Sequence, residues 1–128
     1  MDILRHMIWS FSWIIVVALL YAIPGGDLPV VDVWDLLSFD KIAHFGVFAL
    51  LSLFISIGLK RQMSFPTLRR RALRTAALFS LVYGGVLEAL QGVLFQDRYS
   101  DWFDFAANTL GVLLGLVIFR LLYGKEAI

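Results

Sequence analysis

Residues 42–59 read IAHFGVFALLSLFISIGL, eighteen positions in which the one ionisable side chain, His44, lies near the start. A helix of that length spans about 27 Å at about 1.5 Å per residue, close to the roughly 30 Å hydrocarbon core of a bilayer. Three further stretches have the same character: residues 7–23 (MIWSFSWIIVVALLYAI), 72–94 and 103–122. Strands of a membrane barrel would alternate apolar and polar residues over about 10 positions, a pattern absent here. Lipid admits only helices or closed barrels, because every backbone polar group must be satisfied internally. The expected fold is therefore all-α: an integral membrane four-helix bundle forming a single domain over residues 1–128.

Composition agrees. Of 128 residues, 60% are hydrophobic and 16% charged, with a mean hydropathy of +0.83. Soluble domains carry about 45–50% apolar and roughly 25% charged residues. A globule of this size would leave much of the excess on its surface. That excludes a soluble enzyme, a disordered tail and a free nucleic-acid-binding domain. The lack of cysteine excludes disulfide scaffolds, thiolate zinc sites and cysteine nucleophiles.

The first stretch follows Arg5 and so also has the outline of a signal peptide, but it exceeds the usual apolar region of about 7–15 residues. It is read as a retained span ending at Pro24-Gly25-Gly26, a helix stop. The connection after residue 59 holds Lys60, Arg61, Arg69, Arg70, Arg71 and Arg74 and no acid. The connection before residue 42 holds Asp27, Asp32, Asp35 and Asp40 against Lys41 alone. Excess Lys and Arg mark the cytoplasmic side, so both termini are expected there, in agreement with Arg5, Arg120 and Lys125. The basic loop reads as a topology signal with a general attraction to anionic lipid. In the acidic connection, Val31, Val33, Trp34, Leu36, Leu37 and Phe39 interleave with Asp32, Asp35 and Ser38. That pattern suggests a short amphipathic helix in the interface.

The polar residues within and beside the spans gather at one level. Asp40, Lys41 and His44 open the second span, with Asp40 and His44 one turn apart on one face. Glu88 and Gln91 share a face near the end of the third, with Glu88 about 9 Å below Leu94. Arg98, Asp101, Asp104 and Asn108 lead into the fourth. All of them fall at the extracytoplasmic ends. A carboxylate at mid-span costs about 2.5–3.5 kcal/mol on insertion scales, so Glu88 should face protein or water and approach a cation, Lys41 or Arg98. These nine residues are the candidate ligand-binding set, and His44, Glu88 and Asp104 are the candidate acid–base groups. Gly111 and Gly115 form a small-xxx-small pair for close helix packing, with Gly84 and Gly85 as a candidate opposing surface.

Asp40-Lys41-Ile42-Ala43-His44-Phe45, Glu88-Ala89-Leu90-Gln91, and Arg98 leading to Asp104-Phe105-Ala106-Ala107-Asn108 and Gly111 resemble the VanZ-like family. These are small bacterial membrane proteins named after an accessory teicoplanin-resistance protein. The likeness runs from Asp40 to Gly115, with motifs in the family's order. Phe48 stands where such proteins often have tyrosine, and the stretch from Gln91 to Arg98 is about one residue longer than the pattern. The resemblance implies a multi-pass protein of the bacterial cytoplasmic membrane but no defined reaction.

The residues suggest a cleft that binds or modifies a cell-envelope lipid, a glycan or a lipophilic glycopeptide at the outer leaflet. The alternatives are an acid–base or metal-dependent hydrolase or transferase acting on a lipid-linked substrate, and a structural subunit of an envelope complex. No HExxH, paired-His helix or GxSxG is present. Neither a metal nor a cofactor is expected; the expected partners are the lipid bilayer and a lipid or glycan headgroup at the outer leaflet, and no nucleic acid is expected. The topology has a direct check: reporters fused after Lys60 and after Asp97 should report cytoplasmic and external locations respectively, and a shared location would refute it.

Overall fold

The computed structural model describes residues 2–23, 33–94 and 102–124, the side chains of residues 33–38 excepted. Its helices are α1 (Asp2–Tyr21), α2 (Val33–Arg61), α3 (Pro66–Arg70), α4 (Ala72–Leu94) and α5 (Trp102–Tyr123). Four of them, all but the single-turn α3, are long and apolar enough to cross a membrane. The four alternate in direction. Tyr21 at the end of α1, His44 early in α2, Glu88 late in α4 and Asn108 early in α5 meet at one end. At the other end Asp2 of α1 accepts a hydrogen bond from the Met63 N–H just past α2, at 2.6 Å.

The boundaries differ from the sequence expectation where charge was taken as a stop. Helix α1 begins at Asp2 rather than near residue 7 and ends at Tyr21, two residues before Ile23. Helix α2 runs through Asp40 and Lys41 back to Val33. From Val33 onward, the presumed interfacial helix is thus continuous in its backbone with the span. No proline interrupts residues 33–61, and a charged pair near a helix end is no barrier to helix propagation. Val31 and Asp32 lie outside the described residues.

Helix α2 is the central element, packed on α1, α4 and, most extensively, α5. Phe48, Leu51, Ile55 and Leu59 of α2 are buried with Val17, Ala72, Ala76 and Val112. Outward faces carry Ile8, Trp9, Ile15, Leu19, Leu78, Val82, Leu113, Val117 and Leu121. In water such a surface would drive aggregation, whereas in lipid it is the expected solvent-facing side.

Glycine sets the closeness of the α2–α5 seam. A Cβ on Gly111 would collide with the Phe45 carbonyl oxygen, and one on Gly115 with the Ala49 carbonyl oxygen and the Ser52 hydroxyl. The surface facing these glycines therefore belongs to α2, through Phe45, Ala49 and Ser52, and not to Gly84 and Gly85 of α4. Gly84 instead admits the Phe48 ring and the Asn108 amide. At the seam, Ser52 Oγ donates to the Val112 carbonyl of α5 at 3.0 Å. Polar side chains elsewhere also link the helices. Trp13 Nε1 donates to the Val47 carbonyl at 2.9 Å, and the Tyr83 hydroxyl donates to the Ile14 carbonyl at 2.7 Å.

Bulk at the seam is thus costly, whereas bulk at an open glycine is not. Gly115→Leu should destabilise detergent-solubilised protein by at least the 1–3 kcal/mol typical of overpacking, seen as a clear fall in melting temperature. Gly46→Ala, where an added Cβ meets nothing within 4 Å, should leave it unchanged or raise it slightly. Equal responses would contradict the assignment of the seam.

Candidate functional site

The end of the bundle where α1 and α4 finish and α2 and α5 begin holds a buried polar network. Its centre is the hydroxyl of Tyr21, the last residue of α1. This oxygen lies 2.7 Å from His44 Nδ1, donates to Glu88 Oε1 at 3.0 Å, and accepts from Asn108 Nδ2 at 3.0 Å. Asn108 Oδ1 is 3.0 Å from His44 Nδ1, and Glu88 Oε1 is 3.5 Å from the same nitrogen. The Asn108 amide donates to the tyrosine oxygen, and the tyrosine hydroxyl donates to Glu88. His44 Nδ1 faces both the tyrosine oxygen and Asn108 Oδ1, and whether it donates or accepts depends on the tautomer. Four helices each supply one member.

Local sequence explains each placement. His44 and Asn108 lie about a turn or more inside the N-terminal ends of the α2 and α5 spans, and Glu88 is about two turns inside the C-terminus of α4. Gly84, one turn further in than Glu88 on the same face, lets Asn108 and Phe48 approach α4. Gln91, three residues past Glu88, donates through Nε2 to the Tyr21 backbone carbonyl at 3.1 Å. That carbonyl is one of the acceptors a helix C-terminus leaves without an intrahelical partner. His44, Glu88, Gln91 and Asn108 are all buried, Glu88 at only 5% exposure. The Phe48 ring lies edge-on beneath Tyr21, centroids 6.3 Å apart. Phe48 has no hydroxyl, and the hydroxyl in its vicinity comes from Tyr21.

Above this layer lies a more exposed one. His44 Nε2 is 3.5 Å from Asp40 Oδ1, and Lys41 Nζ is 3.7 Å from Asp104 Oδ1. The ammonium also sits 6.0 Å from the Phe103 ring centroid. Asp40, His44 and Asp104 each offer a ligand atom, all within 4.8 Å of one another. One imidazole with two carboxylates is a donor set that can hold a divalent cation, and it has Asp40 where the sequence suggested Glu88 beside His44 and Asp104.

Seven of the nine residues singled out in sequence thus lie at one end of the bundle: Asp40, Lys41, His44, Glu88, Gln91, Asp104 and Asn108. Arg98 and Asp101 lie outside the described residues. Of the two cations expected beside Glu88, Lys41 is engaged elsewhere and Arg98 lies outside the described residues. Lys41 reaches Asp104, and Glu88 is met by the Tyr21 hydroxyl and His44. Lys41 precedes His44 by nearly a turn and so sits nearer the mouth, level with the first turn of α5. Tyr21 itself was missed. A tyrosine at a span terminus ordinarily reads as an interfacial anchor. The available signal was its position, the only phenol in an otherwise aliphatic span end, at the level of the other polar groups.

A sequence profile described as VanZ/LLP1 matches residues 3–123. The chain belongs to the VanZ/LLP1 family. With four spanning helices, it is a multi-pass membrane protein. An uncharacterized protein of the fission yeast Schizosaccharomyces pombe is 36% identical over 87 residues, which is 68% of this chain and 49% of the relative. The chain thus spans about half the length of that curated relative. A similar protein thus exists in a fungus, and family membership does not by itself assign a bacterial membrane. No solved structure matches the chain.

The hydroxyl at the centre is testable without a ligand. Tyr21→Phe keeps the ring but leaves Glu88, His44 and Asn108 short of a shared partner. An unsatisfied buried polar group costs about 1–3 kcal/mol. The melting temperature should fall more than for Tyr83→Phe, which removes one bond to a backbone carbonyl. The reverse order would show that the network is not a structural centre.

Proposed function

We propose that the polar end of the bundle recognises the headgroup of an envelope amphiphile, a phosphate- or sugar-bearing lipid, at the extracytoplasmic leaflet. The observation that carries this reading is the two-layered arrangement. A fixed network of Tyr21, His44, Glu88 and Asn108 forms the floor, and Asp40, Lys41 and Asp104 form a partly exposed rim. A floor whose four members come from four helices gives a rigid pattern of donors and acceptors, as headgroup recognition requires. At the rim, Lys41 supplies a positive charge for a phosphate or carboxylate. Gln91 and Asn108 are suited to sugar or amide groups once an approaching ligand exchanges for their present partners. Asp101 and Arg98 belong to the proposed set on sequence grounds.

The side of the membrane follows from the lysine and arginine asymmetry, which favours cytoplasmic termini and an external site. In a bacterium the proposed site would then face the outer leaflet of the cytoplasmic membrane. A lipophilic glycopeptide such as teicoplanin partitions there, and reduced teicoplanin susceptibility is the narrow form of the proposal. A second reading draws on the 4.8 Å grouping of Asp40, His44 and Asp104. It makes the same site a metal-assisted hydrolase or transferase, with Glu88 and His44 moving protons.

The test is native mass spectrometry of the protein extracted from its own membrane. Wild type should retain an amphiphile with a phosphate or sugar headgroup. Lys41→Gln and Glu88→Gln, the latter nearly isosteric, should lose at least tenfold of that occupancy with helix content unchanged. Occupancy unaffected by either substitution would remove the site from ligand binding. A retained divalent ion that disappears in His44→Ala would favour the second reading.

A further inference from the structure

At the opposite end of the bundle, the turn between α2 and α4 is built rather than loose. Gln62 is completely buried. Its Nε2 donates to the carbonyls of Leu59 and Phe65 at 3.2 and 2.9 Å, and its Oε1 accepts the Phe65 N–H at 2.7 Å. Asp2 of α1 pins the Met63 N–H, and Asp2 is itself 3.2 Å from His6. Leu68 of α3 packs on the core. The turn is therefore held by the buried, fully bonded Gln62 amide and by the exposed Asp2–Met63 bond.

What this turn presents is unusual for a surface in water. Met63 and Phe65 are 65% and 50% exposed, and Arg61, Arg70, Arg71 and Arg74 are exposed around them. Neither α3 nor α4 has an acid in its first turn. The Arg71 carbonyl accepts the Thr75 N–H at 2.9 Å, so Arg71 opens α4 and Arg74 lies in its first turn. Cations at a helix N-terminus oppose the helix dipole, where an anion would be favoured. A signal for membrane orientation alone needs the charges but not a locked turn, and it needs no exposed apolar pair.

The geometry points to a binding site for the phosphodiester headgroup of an anionic phospholipid, with Arg70, Arg71 and Arg74 on the phosphate and Met63 and Phe65 against the acyl chains. Charge complementarity selects the occupant. The guanidinium groups favour a phosphate that carries net negative charge over a zwitterionic headgroup. The apolar pair requires that phosphate to be attached to a lipid. This site lies at the other end of the molecule from the headgroup site proposed above and does not depend on it.

The test uses the full-length protein in detergent, titrated separately with dioleoylphosphatidylglycerol and dioleoylphosphatidylcholine and followed by native mass spectrometry and melting temperature. Phosphatidylglycerol should bind saturably and at least tenfold more tightly, with affinity falling as salt is raised. Combined Arg70→Gln, Arg71→Gln and Arg74→Gln should abolish the preference with helix content unchanged. Should that variant fail to fold, Arg70→Gln alone, at an exposed position, should still weaken phosphatidylglycerol binding several-fold. Met63→Ser with Phe65→Ser, which keeps every cation, should also weaken it. Equal binding of the two lipids by wild type, or a preference that survives loss of the arginines, would overturn the proposal. Soluble glycerol 3-phosphate binding as tightly as the lipid would equally overturn it, by showing a site for free phosphate.

Discussion

A polar atom placed among lipid chains has no water to fall back on, so each must find its partner within the protein. In this chain that constraint is met at the Tyr21 hydroxyl, which touches Glu88, His44 and Asn108 from three other helices. Removing any one member leaves the others with unmet capacity, so the four helix ends are tied to a common position. Interhelical hydrogen bonds in membranes contribute individually only about 0.6–2 kcal/mol. The leverage of this group comes from four helices sharing one centre.

The glycine seam makes that centre reachable. Asn108 of α5 and His44 of α2 can share a proton only if their helices lie close, and Gly111 and Gly115 allow it by seating α5 on the Phe45 and Ala49 carbonyls. Ser52 then bonds across the seam to the Val112 carbonyl. On the α4 side, Gly84 removes the Cβ that would otherwise press on Phe48 and the Asn108 amide. Packing and polar satisfaction therefore specify the same arrangement, the mutual consistency expected of a sequence with one well-defined fold.

Much of this was legible in the chain. Apolar blocks of bilayer length announce four helices because a spanning segment has few other physical options. The depth of His44, Glu88 and Asn108 follows from counting along each span. What counting cannot supply is the rotation of each helix about its axis and which neighbour it faces. For that reason Lys41 was offered, beside Arg98, as a partner for Glu88 when it meets Asp104, and Gly111 and Gly115 were set against α4 when they pack on α2. The small residues Ala49 and Ser52, spaced along one face of α2, were the unused clue. Tyr21 escaped because the same residue type at a span end serves as an interfacial anchor in many helices. Charge was also overweighted as a boundary, since α2 continues through Asp40 and Lys41.

The two ends of the molecule divide in character. One gathers carboxylates, an imidazole, a phenol and amides into a buried network beneath a charged rim. The other presents arginines and two apolar side chains on a locked turn. The chain belongs to the VanZ/LLP1 family and is also similar to an uncharacterized fungal protein. The most direct test of the buried network is solid-state NMR of the protein in lipid bilayers, with ¹⁵N-labelled histidine, ¹³C-labelled tyrosine and ¹³C-labelled asparagine. The account predicts strong dipolar coupling from His44 Nδ1 to the phenol carbon of Tyr21 and to the side-chain carbonyl of Asn108. Coupling of that nitrogen to lipid acyl chains, with none to Tyr21 or Asn108, would contradict it.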